Sequence, residues 1–112
     1  MAADSAGAVQ RALKAVANPA RLQILHWLRA PRESFGHQPV GDFDSDGVCV
    51  SLIQKKARLS QSTTSAYLAT LARAGLVEVK RIGQWTYYRR NEPAIQRFLG
   101  RLATALGEPG RR

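Results

Sequence analysis

The stretch from Val48 to Arg90 constrains this chain most, because two helix-like segments separated by three residues run straight into a hairpin. Val48–Ala57 carries Val50, Ile53 and Ala57 at helical spacing and reads as a helix with those residues inward. Arg58-Leu59-Ser60 leaves room for only a tight turn. Ser60 suits the cap of the next helix, since a serine hydroxyl accepts one of the unpaired N–H groups of a first turn. That helix spans about Gln61–Ala74, with Leu68 and Leu71 as its apolar stripe and Gly75 where a left-handed residue closes a helix end. Leu76–Ile82 and Trp85–Arg90 are rich in β-branched and aromatic residues and flank Gly83-Gln84, which is the signature of a β-hairpin.

The flanking segments read as helices that support this unit. Ala6–Ala17 places Val9, Leu13 and Val16 on one face, with Ala12 and Ala17 beside them. Asn18-Pro19 then offers a cap and a first-position proline for a helix over Pro19–Ala30, whose buried side is Leu22, Ile24, Leu25 and Leu28. Asn91 or Glu92 caps a last helix, with Pro93 in its first turn and Ile95, Phe98, Leu99, Leu102 and Leu106 as a strong stripe. Between them, 31–47 contains two prolines, three glycines and four acids without helical period, and reads as an acidic inserted loop that Val40 and Phe43 could tack down. The expected fold is mainly α with a β-hairpin wing: four helices, two strands and a fifth helix in one domain over 1–112, with 1–5 and 107–112 flexible.

The charge is unevenly placed. Residues 1–50 hold five Lys/Arg and five Asp/Glu, whereas residues 51–112 hold twelve against three, so the whole net charge of +9 belongs to the second part. Such asymmetry favours a polyanionic partner, because neutralising phosphates releases condensed counterions. No apolar run approaches the ~20 residues that span a bilayer, and Met1–Ala8 lacks the basic start and apolar stretch of a secretory leader, so a cytoplasmic location is expected. The single cysteine, Cys49, excludes an intrachain disulfide and a multi-thiolate metal site within one subunit. Catalysis finds no support, since neither a phosphate-binding glycine loop nor a hydrolase motif is present.

In a helix-turn-helix the second helix enters the major groove with its first residues. Here that helix begins Ser60-Gln61-Ser62-Thr63-Thr64-Ser65-Ala66, a run of hydroxyl and amide groups that can address base edges and phosphates. Ser60, Gln61, Ser62, Thr63, Ser65 and Ala66 are the candidate contacts of the helix, and Lys80, Arg81 and Gln84 those of the wing. Trp85, Tyr87 and Tyr88 could stack on bases, but aromatics at the foot of a hairpin are expected to pack in the core. Double-stranded DNA is the expected partner; a basic winged-helix module that binds RNA or a protein without operator readout is the alternative.

The sequence resembles the ArsR/SmtB family of winged helix-turn-helix regulators. The likeness rests on Ala15-Val16-Ala17-Asn18-Pro19-Ala20-Arg21-Leu22-Gln23-Ile24-Leu25, on Leu59 through Ser65, on Leu68 through Val77, and on the wing Arg81-Ile82-Gly83-Gln84-Trp85-Thr86-Tyr87-Tyr88-Arg89. It implies a homodimer built by the first and last helices, acting as a transcriptional repressor that leaves its operator when an inducer binds. The family's Cys-Val-Cys metal site is replaced here by Cys49-Val50-Ser51, and Glu92–Leu106 lacks the Asp and His ligands of other members, so no metal cofactor is expected. The inducer is unknown. Cys49 as a reactive thiol, against a small buried hydrophobe, and His37 with Asp42, Asp44 and Asp46, against a solvated acidic loop, are the sensing candidates.

Overall fold

Six helices and three strands follow one another along the residues that the computed structural model describes, 2–107 and 109–110. Helix α1 (Ala2–Val16) begins earlier than its apolar period predicts, so Ala2–Ser5, expected to be flexible, are helical. Met1, Glu108, Arg111 and Arg112, also assigned to flexible ends, lie outside the described residues. Asn18 caps α2 (Pro19–Arg29) as expected, its side-chain oxygen accepting the Arg21 N–H at 3.0 Å. The next element corrects the expectation of an unbroken loop: Pro31–Phe35 forms a short helix, α3. Pro31 starts it, and Phe35 anchors it edge-on to Trp27 with ring centroids 6.3 Å apart.

A second correction falls at Val48. Instead of opening a helix, Val48–Cys49 forms a strand, β1, and helix α4 covers Val50–Ala57. Both β1 residues are buried, and Val48 pairs with Tyr88 and Cys49 with Tyr87. Two residues are too few to show a period, so the helical spacing of Val50 and Ile53 extends backwards over them by default. Helix α5 (Gln61–Arg73) is followed by strands β2 (Val77–Ile82) and β3 (Trp85–Arg90), and helix α6 (Glu92–Leu106) closes the chain. The sheet is antiparallel in the order β1-β3-β2, so the hairpin gains a third strand. Gly75 ends α5 at φ +78°: its own N–H reaches the Ala72 carbonyl, and the Leu76 N–H reaches that of Leu71, a Schellman closure that turns the chain directly into β2.

The core is drawn from every element but the short α3. Ile24, Val48, Ile53, Leu68 and Leu71 are fully buried, with Ala12, Ala15, Leu28, Leu76, Ile95 and Phe98 around them. Each such Leu or Ile contributes about 1.5–3 kcal/mol by leaving water. The inward face of α1 is Ala12 and Ala15, correcting the expectation of Leu13 and Ala17, both of which are exposed. Small side chains let α1 lie close against its neighbours, and the larger Leu13 turns outward. Leu22 also differs from expectation, being 53% exposed, while Leu99 and Leu106 of the α6 stripe are 48% and 76% exposed. The Cα radius of gyration is 15.4 Å, above the ~13 Å of a compact chain this long. No helix among the described residues is long and apolar enough to cross a membrane.

Candidate nucleic-acid interface

Helix α4 turns into α5 through Arg58, the one non-glycine residue at positive φ among those described, at +57°. Its left-handed backbone ends α4, its N–H still reaching the Gln54 carbonyl at 2.9 Å, and only residues 58–60 separate α4 from α5. Ser60 then caps α5: its Oγ accepts the Thr63 N–H at 3.1 Å and donates to Thr63 Oγ1 at 2.9 Å, and Ser62 Oγ lies 3.3 Å away. Thr64 is fully buried and donates to the Ser60 carbonyl at 2.9 Å. The polar run therefore divides. Thr64 belongs to the core, Ser60 and Thr63 fix the first turn, and Gln61, Ser62, Ser65 and Ala66 are left exposed on one side.

The inner side of α5, Thr64, Leu68 and Leu71, holds that outer side rigidly in place. The first turn contains no acidic residue, so the partial positive charge of the helix start is uncompensated, which suits a phosphate. Gln61 and Ser65 make no side-chain hydrogen bond among the described residues and are free to serve an external partner. Arg21 steadies the same helix from behind: its guanidinium lies 5.3 Å over the Tyr67 ring while Nε donates to the Ala15 carbonyl at 2.7 Å, tying α5 to the end of α1. Lys55 and Arg58, exposed on the last turn of α4 and the reversal, add positive charge that the sequence reading counted without assigning it. The signal was there in the clustering of Lys55, Lys56 and Arg58 just before the capping serine.

On the wing, Gln84 is exposed at the tip, and Arg81 is exposed and makes no ion pair among the described residues. Lys80 is on the wing as well, but its ammonium is held by Asp46 of the acidic loop at 2.5 Å. Tyr87 is buried as expected, donating to the Val40 carbonyl at 3.1 Å, and burial pushes its phenol above the ordinary value, so it remains a donor. Tyr88 packs against the core, whereas Trp85 is 45% exposed, outside the core it was expected to join.

The sensing candidates separate. Cys49 is buried, with Sγ 3.3 Å from Ser51 Oγ. A thiol and a serine hydroxyl do not make the paired thiolates that a soft metal requires, so this position does not fit the family's metal site. His37 is exposed, and the three loop carboxylates are engaged elsewhere: Asp42 accepts the Asp44 and Ser45 N–H groups, Asp44 pairs with Arg32, and Asp46 with Lys80. No group of three or more His, Cys, Asp or Glu that could hold a metal ion occurs among the described residues.

No protein-family model matches the chain. It is 46% identical over 93 residues, 83% of its own length and 93% of the relative's, to the uncharacterized HTH-type transcriptional regulator YbzH of Bacillus subtilis. A 47-residue stretch is 43% identical to ArsR2 of Halobacterium salinarum, named for an arsenical resistance operon; it covers 42% of this chain and 40% of that protein. The fold superposes with TM-score 0.64 and 31% identity on the homodimeric winged helix-turn-helix DNA-binding domain of a possible ArsR-family regulator from Mycobacterium bovis, over 92% of this chain and 82% of that one. The chain belongs to the ArsR family. As an ArsR-family member it keeps the helix-turn-helix and wing described above, and the family is one of transcription regulators.

Proposed function

We propose that this ArsR-family chain is a homodimeric repressor that reads a pseudo-palindromic operator with the first two turns of α5 and grips the duplex backbone with its wing. One observation carries the reading: Gln61, Ser62, Ser65 and Ala66 are presented together, unengaged by the core, on a helix whose opposite side is locked by Thr64, Leu68 and Leu71. Base readout needs such a rigid polar face. Lys55, Arg58, Arg81 and Gln84 supply the backbone contacts around it. The exposed Leu13, Leu22, Leu99 and Leu106, beside the half-buried Val16 and Leu102, form the surface that a second copy covers. Pairing through α1 and α6 sets the two α5 helices for neighbouring major grooves. The repressor acts in the compartment that holds the DNA, without catalysis and without a metal cofactor, and leaves the operator on an inducing signal.

A gel-shift titration with DNA from upstream of its own coding region, against a random duplex of equal length, tests this. The expected result is a preference of at least about a thousandfold for the upstream DNA, bound as a dimer. Equal binding to both duplexes overturns the operator reading. Arg81→Ala is expected to weaken both duplexes alike and flatten the logarithmic salt dependence by about one.

A further inference from the structure

The loop 36–47 is fastened across one face of the wing. Directly opposed residues of an antiparallel pair share a face, so Glu78, Lys80 and Ile82 lie with Arg89, Tyr87 and Trp85 on one side, and Arg81 with Thr86 on the other. The loop lies on the first of these. Gln38, itself buried, donates to the Gly47 carbonyl and accepts the Cys49 N–H; Phe43 is buried in the core; and Gly41 passes so close to the Tyr87 ring that a Cβ would come within 2.7 Å of it. These anchors fix the loop's acids over the wing's cations. Asp46 takes the Lys80 ammonium on one oxygen while its other oxygen accepts the Asp42 N–H at 2.8 Å. Arg89 donates to the carbonyls of Asp44 and Ser45 at 3.1 and 3.4 Å and to Glu78 at 3.2 Å. The Asp46 side chain is only 14% exposed, whereas that of Lys80 is 52% exposed and stands where a passing phosphate could meet it.

We propose that the loop is an intramolecular stand-in for phosphate, withholding Lys80 and Arg89 from DNA so that the wing engages the duplex through its other face and tip, Arg81 and Gln84. An ammonium already neutralised by a fixed carboxylate has few counterions to release, so it adds little to backbone affinity. The consequence is a lowered sequence-independent attraction, which leaves discrimination to the base-facing residues of α5. The inference rests on the DNA-binding reading above.

The test is a titration of a random duplex across 50–200 mM salt with four full-length proteins: unaltered, Asp46→Asn, Lys80→Ala and the double variant. Asp46→Asn is expected to tighten binding about threefold or more at the low-salt end and to steepen the logarithmic salt slope by about one. Lys80→Ala alone is expected to change affinity less than twofold, and the double variant to lose the gain. The proposal is overturned if Lys80→Ala alone flattens the slope by about one, if Asp46→Asn binds no tighter, or if its gain survives without Lys80. Should Asp46→Asn lose its far-UV circular dichroism signal, Lys80→Ala in the intact loop still decides the matter. Failure of the unaltered protein to bind any duplex overturns the DNA reading and this proposal with it.

Discussion

Helices α5 and α6 rest on the same core yet leave opposite surfaces to solvent. In α5 the apolar residues Leu68 and Leu71 are fully covered, and the exposed residues are Gln61, Ser62, Ser65, Ala66 and Arg73. In α6 only Ile95 and Phe98 are covered; Leu99 and Leu106 stand in water. The monomer thus presents an apolar surface on α6 and a polar one on α5. In the proposed dimer, association and recognition fall on different helices.

The largest effect is expected at Leu99, 48% exposed on α6. Leu99→Asp places a charge in the proposed dimer surface, twice per dimer, and is expected to weaken self-association by about 4 kcal/mol or more, read as a monomer in sedimentation velocity. A dimer of unchanged stability would show that α6 is not the pairing surface. Leu68→Ala acts on the covered side of α5: a fully buried leucine leaves a cavity, and thermal or denaturant unfolding should report a loss of about 2–5 kcal/mol. Gln61→Ala touches only the outer side. It is expected to cost about 1–3 kcal/mol on operator DNA, little on random DNA and nothing measurable in stability; equal weakening on both duplexes would remove Gln61 from base readout.

The smallest effect leaves both helices alone. Hydrogen bonds from Arg32, and then its charge, hold the Asp44 carboxyl below its ordinary range, and the Lys80 hydrogen bond followed by the Asp42 N–H does the same for Asp46. With the folded value lower than the unfolded one, this contribution is complete above the ordinary carboxylate range and fades as pH falls through it. The protection factors of the Asp42 and Asp46 amides, observed exchange corrected for the intrinsic pH dependence, should therefore stay flat from pH 8 to about 5 and fall below about 4, while those of α5 and α6 hold.

The division between α5 and α6 was only half legible in the sequence. Periodicity identified Leu68, Leu71, Ile95 and Phe98 as inward, because a leucine or phenylalanine at helical spacing is the same signal whichever face it serves. That same rule put Leu22 on a buried side and Leu13, Leu99 and Leu106 on stripes, and only the family resemblance set the first and last helices aside for a second copy. Hydrophobic pattern shows that a residue wants covering and not by which chain. Ser60 and Gly75 were read correctly since capping is local chemistry. Val48–Cys49 was missed because a two-residue strand exists only through its pairing with Tyr87 and Tyr88, some forty residues away. The 31–47 segment was partly legible for a related reason: Phe43 is buried as its side chain suggested, whereas Val40 is exposed and the anchor Gln38 is buried by contacts across the fold rather than by any period of its own.

Gln38 has a further consequence. Strand β1 lies at the rim of the sheet, where unpaired backbone groups could recruit a strand from a neighbouring molecule. The Gln38 amide occupies that position, mimicking one rung of an absent fourth strand at the Cys49 N–H, and the opposite rim, β2, is studded with Glu78, Lys80 and Arg81. Both margins thereby carry a feature that opposes edge-to-edge pairing with a neighbouring ribbon.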